Sequence, residues 1–411
     1  MLELETSIQR LTKIETSSLS INDLASALPG VSRDYGREHA LQVIQAFQEQ
    51  FIERLFAGLE EVVCERCGVV HRGGLTLLRR GSRPRQLRTS TGLLVFALKQ
   101  LTCRDCRRTW SPFGPLLGLV PRQRIAEELV RKVVEGATEL SYAKTCEFAE
   151  AWLGASVTPK TLHRFVQERG AQLRFTPAEP TRVVVADGTK VPAGSSERGV
   201  DVRLSFQILS RYAEHGRVVV EKRIAGWGMG PGGWSDALPA GICTEVIVTD
   251  REKGLPELVA ERFPGIRHQH CEWHLSHTLG HLLYLDGVKV KERKPLTAKL
   301  AHIVWGKKTK DRKAAYIKFC AELERYPKAH TMLSDALENV LFDKASSERT
   351  SSVMEREMRE INRRSDVGVR WSVSGIDNLL RLRAARRINK DDFERVWSPV
   401  RTDAIQVVPL A

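Results

Sequence analysis

The chain has 411 residues, of which 42% are hydrophobic and 28% are charged, and its formal net charge at pH 7 is +14. This length predicts two to four domains with ample core. No apolar run is long enough to span a bilayer, and the acidic residues 1–5 lack the pattern of a signal peptide. We therefore expect a cytoplasmic protein with no membrane partner.

Residues 1–61 are predicted to form a helical arm. Apolar side chains recur at helical spacing over residues 37–61, including Leu41, Ile44, Phe51 and Leu55. No residue of this segment points to chemistry, so a packing or oligomerisation role is the simplest expectation.

Paired cysteines predict a zinc ribbon over residues 62–118. Cys64 and Cys67 form one Cys-x-x-Cys pair, and Cys103 and Cys106 form a second. Two such pairs can hold one tetrahedral Zn²⁺, and a closed Cys₄ shell leaves no open position, so the metal would be structural. The other four cysteines are dispersed, which favours metal ligation over disulfides. We interpret His71 as a surface residue rather than a fifth ligand.

The same stretch carries most of the net charge. Residues 64–124 contain thirteen Lys or Arg against two acidic residues. A basic block of this density favours contact with a polyanion such as double-stranded DNA over a merely solvated surface.

Residues 119–176 are predicted to form a helix-turn-helix domain. One helix is expected over residues 141–152 and a second over residues 158–170, with Thr158 as its N-cap and Gly170 as its stop. The second helix is expected to expose side chains that can reach phosphates and base edges. These DNA-binding candidates are Lys160, Thr161, His163, Arg164 and Gln167.

Two β-branched runs end at aspartates. Residues 183–186 precede Asp187, and residues 246–249 precede Asp250. Runs this apolar predict buried central strands, and carboxylates at the ends of neighbouring strands would converge on a hard cation such as Mg²⁺. Between them, residues 202–212 and 217–227 predict an antiparallel hairpin. A helix is expected near residues 255–263, and Lys-rich helices over residues 286–345.

A third carboxylate is needed to complete such a site. Glu355 is the best candidate, and Glu357 and Glu360 on the same predicted helix are rivals that spacing does not exclude. Cys271 and His274 form a Cys-x-x-His pair that could bind metal, yet a structural thiol and a hydrogen-bonded imidazole fit equally well.

Taken in order, Asp187, Asp250, Cys271-x-x-His274 and Glu355 resemble the DDE transposases of bacterial and archaeal insertion sequences, in the Mutator-like branch. The resemblance covers roughly residues 60–390. It implies an α/β fold: an RNase H-like mixed sheet with the first aspartate ending strand one and the second ending strand four. That catalytic domain would comprise residues 177–285 and 346–395, with an all-helical insertion at residues 286–345.

The resemblance also implies an activity. Asp187, Asp250 and Glu355 would hold two Mg²⁺ ions for DNA strand cleavage and strand transfer, with no covalent protein–DNA intermediate. The zinc ribbon and helix-turn-helix would bind the terminal inverted repeats, and Lys289, Lys291, Lys307, Lys308 and Lys310 would contact the DNA backbone. Joining two ends implies a homodimer or larger assembly, associated with the nucleoid when bound to DNA.

Two alternatives stay open at this point. A catalytically inactive, domesticated transposase would act as a sequence-specific DNA-binding repressor. An RNase H-like nuclease would cut DNA without joining it.

Overall fold

The structure, a computed structural model, describes residues 21–195, 199–250, 252, 254–305, 311–340, 350–366 and 371–397, with side chains described from residue 29 onward. The chain divides into two compact units. The first is Met1–Phe165 together with Trp397–Ala411, and the second is Val166–Val396. Within the described residues, no helix is both long and apolar enough to cross a membrane.

The described part of the first unit starts with a long helix and continues into two antiparallel sheets. β1 pairs with β2, and β3, β4 and β5 form a second sheet in that order. The elements are α1 (Ile21–Phe56), β1 (Glu61–Val63), β2 (Val70–Arg72), β3 (Leu77–Thr89), β4 (Gly92–Cys103), β5 (Thr109–Trp110), α2 (Phe113–Leu116), α3 (Glu127–Glu139), α4 (Tyr142–Leu153) and α5 (Pro159–Gln172). The last seven residues of α5 fall in the second unit.

Helix α1 and the cysteine-bearing sheets share one hydrophobic core. Phe51 and Leu55 of α1 are buried together with Leu101, Cys103 and other apolar residues of the sheets. The side chain of Gln48, also buried, bonds both the carbonyl of Ala97 and the N–H of Lys99, which ties α1 to β4. The sequence predicted a helical arm and a separate ribbon, whereas the end of the arm completes the ribbon's core.

Helices α4 and α5 confirm the two predicted helices. Ser141 and Thr158 both accept a hydrogen bond from the backbone N–H three residues on, as N-caps do. Gly170, predicted as the stop of the second helix, instead lies inside α5, which continues to Gln172. A Cβ at Gly170 would lie 2.5 Å from the Cβ of Asn378. This glycine is therefore a close-packing position rather than a terminator.

Gly170→Ala is expected to destabilise the protein by roughly 1–3 kcal/mol, because the added methyl group must displace Asn378. Urea unfolding measures the change in the free energy of unfolding. Gly30→Ala in α1 is the matched control: no atom lies within 4 Å of its Cβ, so it should stabilise by up to about 1 kcal/mol. Equal effects at both positions would contradict the packing argument.

The second unit contains a five-stranded sheet followed by helices. After the end of α5, its elements are β6 (Thr181–Val191), β7 (Val200–Glu214), β8 (Arg217–Met229), α6 (Gly233–Ala237), β9 (Thr244–Thr249), α7 (Leu255–Arg262), β10 (Arg267–His270), α8 (Glu272–Leu285), α9 (Val290–Trp305), α10 (Arg312–Glu322), α11 (Pro327–Ala336), a 3-10 turn (Leu337–Asn339), α12 (Ser352–Asn362), α13 (Val373–Arg387) and α14 (Lys390–Glu394).

The sheet is mixed, with the strand order β10-β9-β6-β7-β8. β6 is antiparallel to β7, and β7 is antiparallel to β8. β9 is parallel to both β6 and β10. An α/β class is therefore confirmed, and the first and fourth strands of the sheet in chain order, β6 and β9, are neighbours.

Two details of this sheet differ from the sequence prediction. β6 does not end at Asp187 but continues to Val191, because its antiparallel pairing with β7 extends beyond its parallel pairing with β9. The hairpin loop between β7 and β8 is also shorter than predicted. His215 and Gly216 both have positive φ, 47° and 74°, which suits a two-residue hairpin turn and lets the strands pair up to Glu214 and Arg217.

Helices α8 to α11 surround a core of their own. Leu275, Leu279 and Leu283 of α8 are buried in the same cluster as residues of α9, α10 and α11. The predicted boundary at residue 286 would have placed α8 with the sheet. The sequence predicted no strand or helix between residues 264 and 285, so β10 and α8 were both missed. The parts of residues 286–345 that are described, 286–305 and 311–340, are mostly helical, as predicted.

Candidate active site and zinc centre

The two aspartates lie at the same level on neighbouring strands. Val185 of β6 is in register with Val248 of β9, and each aspartate follows two residues later. Residues two apart on a strand share a face, and paired strands run about 4.8 Å apart. Asp187 and Asp250 therefore emerge side by side where the parallel pairing ends, as the sequence predicted.

The raised pKa of Asp250 reflects the proximity of the two carboxylates. Burial, followed by repulsion from Asp187, raises the pKa of Asp250 to about 6. The side chain of Asp187 is bonded by the N–H of Gly188 at 2.8 Å, and that of Asp250 by the N–H of Glu252 at 3.2 Å. Two adjacent, mostly buried carboxylates that repel each other are a fitting place for a divalent cation, which would relieve that repulsion.

A buried arginine next to this pair escaped the sequence analysis. Arg203 on β7 donates to the carbonyl of Gly230 at 2.8 Å and forms an ion pair with Glu252. Trp234 donates to the other carboxylate oxygen of Glu252 at 2.8 Å. The backbone that follows Asp250 is thereby fixed to β7. Polar and apolar residues alternate along β7 from Val202 to Ile208, so the sequence pattern did not distinguish Arg203 from a solvent-facing residue.

Cys271 and His274 lie beside the aspartates rather than in a metal cluster. His274 is within the electrostatic influence of both Asp187 and Asp250. Among the described residues, no third Cys, His or carboxylate joins Cys271 and His274 in a cluster that could hold metal. The hydrogen-bonded reading of this pair is the one that the geometry favours.

Glu355 lies on the first turn of α12 with an exposed side chain. Within the described part of the chain, no group of three potential ligands spaced for one metal ion includes Asp187 or Asp250. The rival acids are engaged elsewhere: Glu357 pairs with Lys222 and Arg387. Glu360 contacts Arg363, Arg383 and Arg387.

The four paired cysteines converge as predicted. Their sulfurs all lie within 4.8 Å of one another, with Cys64 and Cys106 3.5 Å apart and Cys67 and Cys103 3.8 Å apart. A tetrahedral zinc with bonds of about 2.3 Å requires sulfurs about 3.8 Å apart. The cluster could therefore hold a structural zinc ion.

The backbone around these cysteines also suits a metal. Burial raises the pKa of Cys64, but hydrogen bonds from the N–H groups of Cys67 and Arg66, together with those from neighbouring thiols, outweigh it and lower the pKa to about 7. Gly68 and Arg107, which each follow the second cysteine of a pair, both adopt positive φ. The two turns therefore have matching local geometry despite different residues.

His71 is not on the surface, contrary to the sequence interpretation. Its side chain is fully buried, with Nδ1 2.8 Å from the hydroxyl of Thr76. Its ring lies against Trp110. Packing in the ribbon core explains its burial, which a lone histidine in a polar stretch does not reveal.

The DNA-binding candidates on α5 divide into two groups. Lys160, His163 and Arg164 are exposed, as predicted, and Thr161 is partly buried next to Thr158. The prediction that Gln167 is exposed was wrong. Its amide accepts a hydrogen bond from Asn378 at 2.7 Å and donates to the carbonyl of Gly375 at 3.2 Å, so it packs against α13.

The basic block is largely exposed. Most of its arginines lie on β3 and in the turn between β4 and β5: Arg79, Arg80, Arg83, Arg88, Arg104, Arg107 and Arg108. In the helical region, Lys289 and Lys291 are exposed, whereas Lys307, Lys308 and Lys310 lie outside the described residues. The first unit therefore presents a dense positive surface.

Comparison with known proteins gives one family match. Residues 241–371 match the family model of the transposases of the Mutator family. The matched segment contains Asp250, Cys271, His274 and Glu355, and Asp187 lies before it. No match is found among curated proteins.

Proposed function

We propose that this chain, which carries a Mutator family transposase domain over residues 241–371, binds the terminal inverted repeats of its element and catalyses magnesium-dependent DNA strand cleavage and strand transfer. The observation that carries the proposal is the pair of aspartates, side by side on neighbouring strands. Asp250 lies inside the matched segment and Asp187 lies beside it. A strand order that makes β6 and β9 neighbours supports an RNase H-like catalytic domain.

Asp187, Asp250 and Glu355 would hold the magnesium. When bound there, magnesium would neutralise charge on the scissile phosphate and lower the pKa of an attacking water or 3′-hydroxyl. The chain's own contribution is positioning. Register holds the two aspartates together, and Arg203 fixes Glu252 just beyond Asp250.

Helix geometry favours Glu355 as the third acid. Glu355 lies on the first turn of α12, directly after the N-cap residue Ser351, whose hydroxyl is 3.4 Å from Nδ1 of His274. His274 is close to both aspartates. Glu357 and Glu360 are held in ion pairs with cations of β8 and α13 and with Arg363, which follows α12.

Glu355→Gln should abolish magnesium-dependent cleavage while leaving the free energy of unfolding nearly unchanged, because its carboxylate is exposed. Glu357→Gln should leave cleavage intact and destabilise the protein. It leaves Lys222 and Arg387 without their carboxylate and should cost about 1–3 kcal/mol of stability. Parallel cleavage assays and urea titrations of the two variants decide the assignment, and loss of cleavage only in Glu357→Gln would transfer the role to that residue.

The basic surface of the first unit would bind the element ends. Neutralising phosphates supplies most sequence-independent affinity, and exposed Lys160, His163 and Arg164 on α5 could contact base edges or phosphates. Because two ends must be joined, the active form would be a dimer or larger assembly on DNA.

The function is tested with DNA that carries the inverted repeats flanking the coding sequence. Wild-type protein with Mg²⁺ should cut at the repeat ends and join pre-cut 3′-hydroxyl ends to a target. Asp187→Ala should bind the same DNA but cleave about a thousandfold more slowly, since metal ligation supplies several kcal/mol of transition-state stabilisation. Binding without cleavage by the wild type would indicate a repressor, and cleavage without joining a nuclease.

A further inference from the structure

Three side chains connect the two ends of the helical core α8–α11. The backbone N–H of Ser351 donates to Sγ of Cys271 at 3.2 Å. The hydroxyl of Ser351 lies 3.5 Å from that sulfur and 3.4 Å from Nδ1 of His274. Cys271 and Ser351 are both buried, although 80 residues separate them along the chain.

Each end of this contact is attached to an element that carries or borders a proposed ligand. The N–H of Cys271 donates to the carbonyl of Thr249 at 2.7 Å, and Thr249 immediately precedes Asp250. Ser351 is the N-cap residue of α12, whose first turn contains Glu355. The contact therefore links the end of β9 to the start of the glutamate helix.

Charge strengthens the link. Burial raises the pKa of Cys271, but hydrogen bonds from His274 and Ser351 outweigh it and lower the pKa. Burial lowers the pKa of His274, whereas Cys271 raises it, to about 9 overall. Both shifts have the direction expected for a thiol and an imidazole that are hydrogen-bonded to each other.

We propose that Cys271, His274 and Ser351 form a latch that holds the start of α12, and with it Glu355, beside Asp187 and Asp250. The inference rests on the proposed function for its catalytic meaning, but the contact itself does not. These three residues act as positioning residues: they orient the glutamate helix and do not ligate the metal. The Cys-x-x-His spacing places the thiol before α8 and the imidazole on its first turn, so that both reach Ser351.

The contact is tested by cross-linking in the full-length, zinc-loaded protein. In a Cys243→Ser background, which removes an exposed thiol, Ser351→Cys should form a disulfide with Cys271 under mild oxidation. Ser352→Cys is the matched control, because Ser352 is adjacent but exposed, and it should not cross-link. Peptide mass spectrometry identifies the linked pair. No Cys271 disulfide in Ser351→Cys, or an equal yield in both variants, would overturn the latch.

The positioning role is tested by metal binding, which does not depend on cleavage. Mn²⁺ is titrated into the zinc-loaded wild type and into Cys271→Ala. The variant should bind Mn²⁺ roughly 10- to 100-fold more weakly, the usual effect of losing a residue that orients a metal ligand. Cys271→Ser, which keeps a weaker acceptor, should recover part of the loss, and Ser351→Ala should show a smaller loss. Unchanged Mn²⁺ affinity in Cys271→Ala would refute positioning.

Cleavage kinetics then separate the two proposals. If the wild type cleaves DNA, Cys271→Ala should raise the Mg²⁺ concentration needed for half-maximal rate without weakening binding to the repeats. If the wild type cleaves nothing while the Ser351→Cys disulfide forms and Mn²⁺ affinity responds to Cys271, the latch stands and the proposed function fails. Should Cys271→Ala not fold, Cys271→Ser and His274→Gln provide the same comparison.

Discussion

Asp250→Asn should raise the thermal stability of the metal-free protein and at the same time abolish magnesium-dependent cleavage. The pKa of Asp250 is about 6, against an ordinary value of 3.8. The folded protein therefore binds this proton more tightly than the unfolded chain does. This tighter proton binding stabilises the folded protein; the stabilisation is fully present below pH 3.8 and is lost as the pH rises through 6. At pH 7.5 the ionised carboxylate costs about 3 kcal/mol.

Asparagine removes that cost, because it has nearly the same shape and no charge. Differential scanning fluorimetry in a metal-free buffer at pH 7.5 should show a Tm roughly 5 °C higher for Asp250→Asn than for the wild type. The difference in Tm should be smaller at pH 4. Added Mg²⁺ should stabilise the wild type and leave Asp250→Asn unchanged.

The control for this experiment is Asp236→Asn, at an exposed aspartate in the same unit, which should change neither Tm nor the response to Mg²⁺. A lower Tm for Asp250→Asn at pH 7.5 would mean that burial and repulsion from Asp187 do not penalise the ionised carboxylate in the folded protein.

Cys103→Ser should cost the protein its zinc, the fold of its first unit and its affinity for DNA. Cys103 is fully buried and belongs to the same core as Phe51 and Leu55 of α1, so the metal site and the hydrophobic core are continuous. Structural zinc contributes about 10–16 kcal/mol in zinc-finger peptides, more than a typical domain has in reserve. Elemental analysis should find about one zinc per wild-type chain and almost none in the variant.

Cys243→Ser is the matched control, because Cys243 is exposed and outside the cluster, and it should keep zinc, fold and DNA binding. Gel-shift assays with the terminal repeats and circular dichroism measure the two consequences. A zinc-free Cys103→Ser protein that still binds the repeats would show that the basic surface does not depend on the ribbon.

The sequence predicted those parts of the site that depend on residues close together along the chain. The two Cys-x-x-Cys pairs, the N-cap at Thr158 and the two apolar strands before Asp187 and Asp250 each follow from neighbours within a few residues. Register then brought the aspartates together, because two strands of the same sheet end their parallel pairing at the same level.

What sequence could not predict depends on partners far along the chain. Gly170 has the composition of a helix stop, yet α13 packs so closely there that only glycine fits. Gln167 has an amide that could contact DNA, but that amide accepts a hydrogen bond from Asn378 instead. Neither partner lies within 200 residues of these positions, so no local pattern carries the information.

β10 was missed for a different physical reason. Its four residues, Arg267–His270, are polar, whereas strands are recognised by apolar or alternating runs. Its pairing with β9 comes from backbone hydrogen bonds at the sheet edge. The hydroxyl of Thr249 also lies 2.7 Å from Nε2 of His268, a hydrogen bond that links the two strands through their side chains. Burial lowers the pKa of His268 to about 4, which keeps its imidazole neutral.

The contact between Cys271 and Ser351 gives the helices α8–α11 the character of an exchangeable module. The chain passes from β10 into these helices at one residue of a hydrogen-bonded pair and enters α12 at the other. Doubling the length of such a loop costs only about 0.6 kcal/mol in closure entropy. Helices can therefore be added, shortened or replaced within this excursion over evolutionary time, or by engineering, while the geometry of the acidic residues is inherited unchanged.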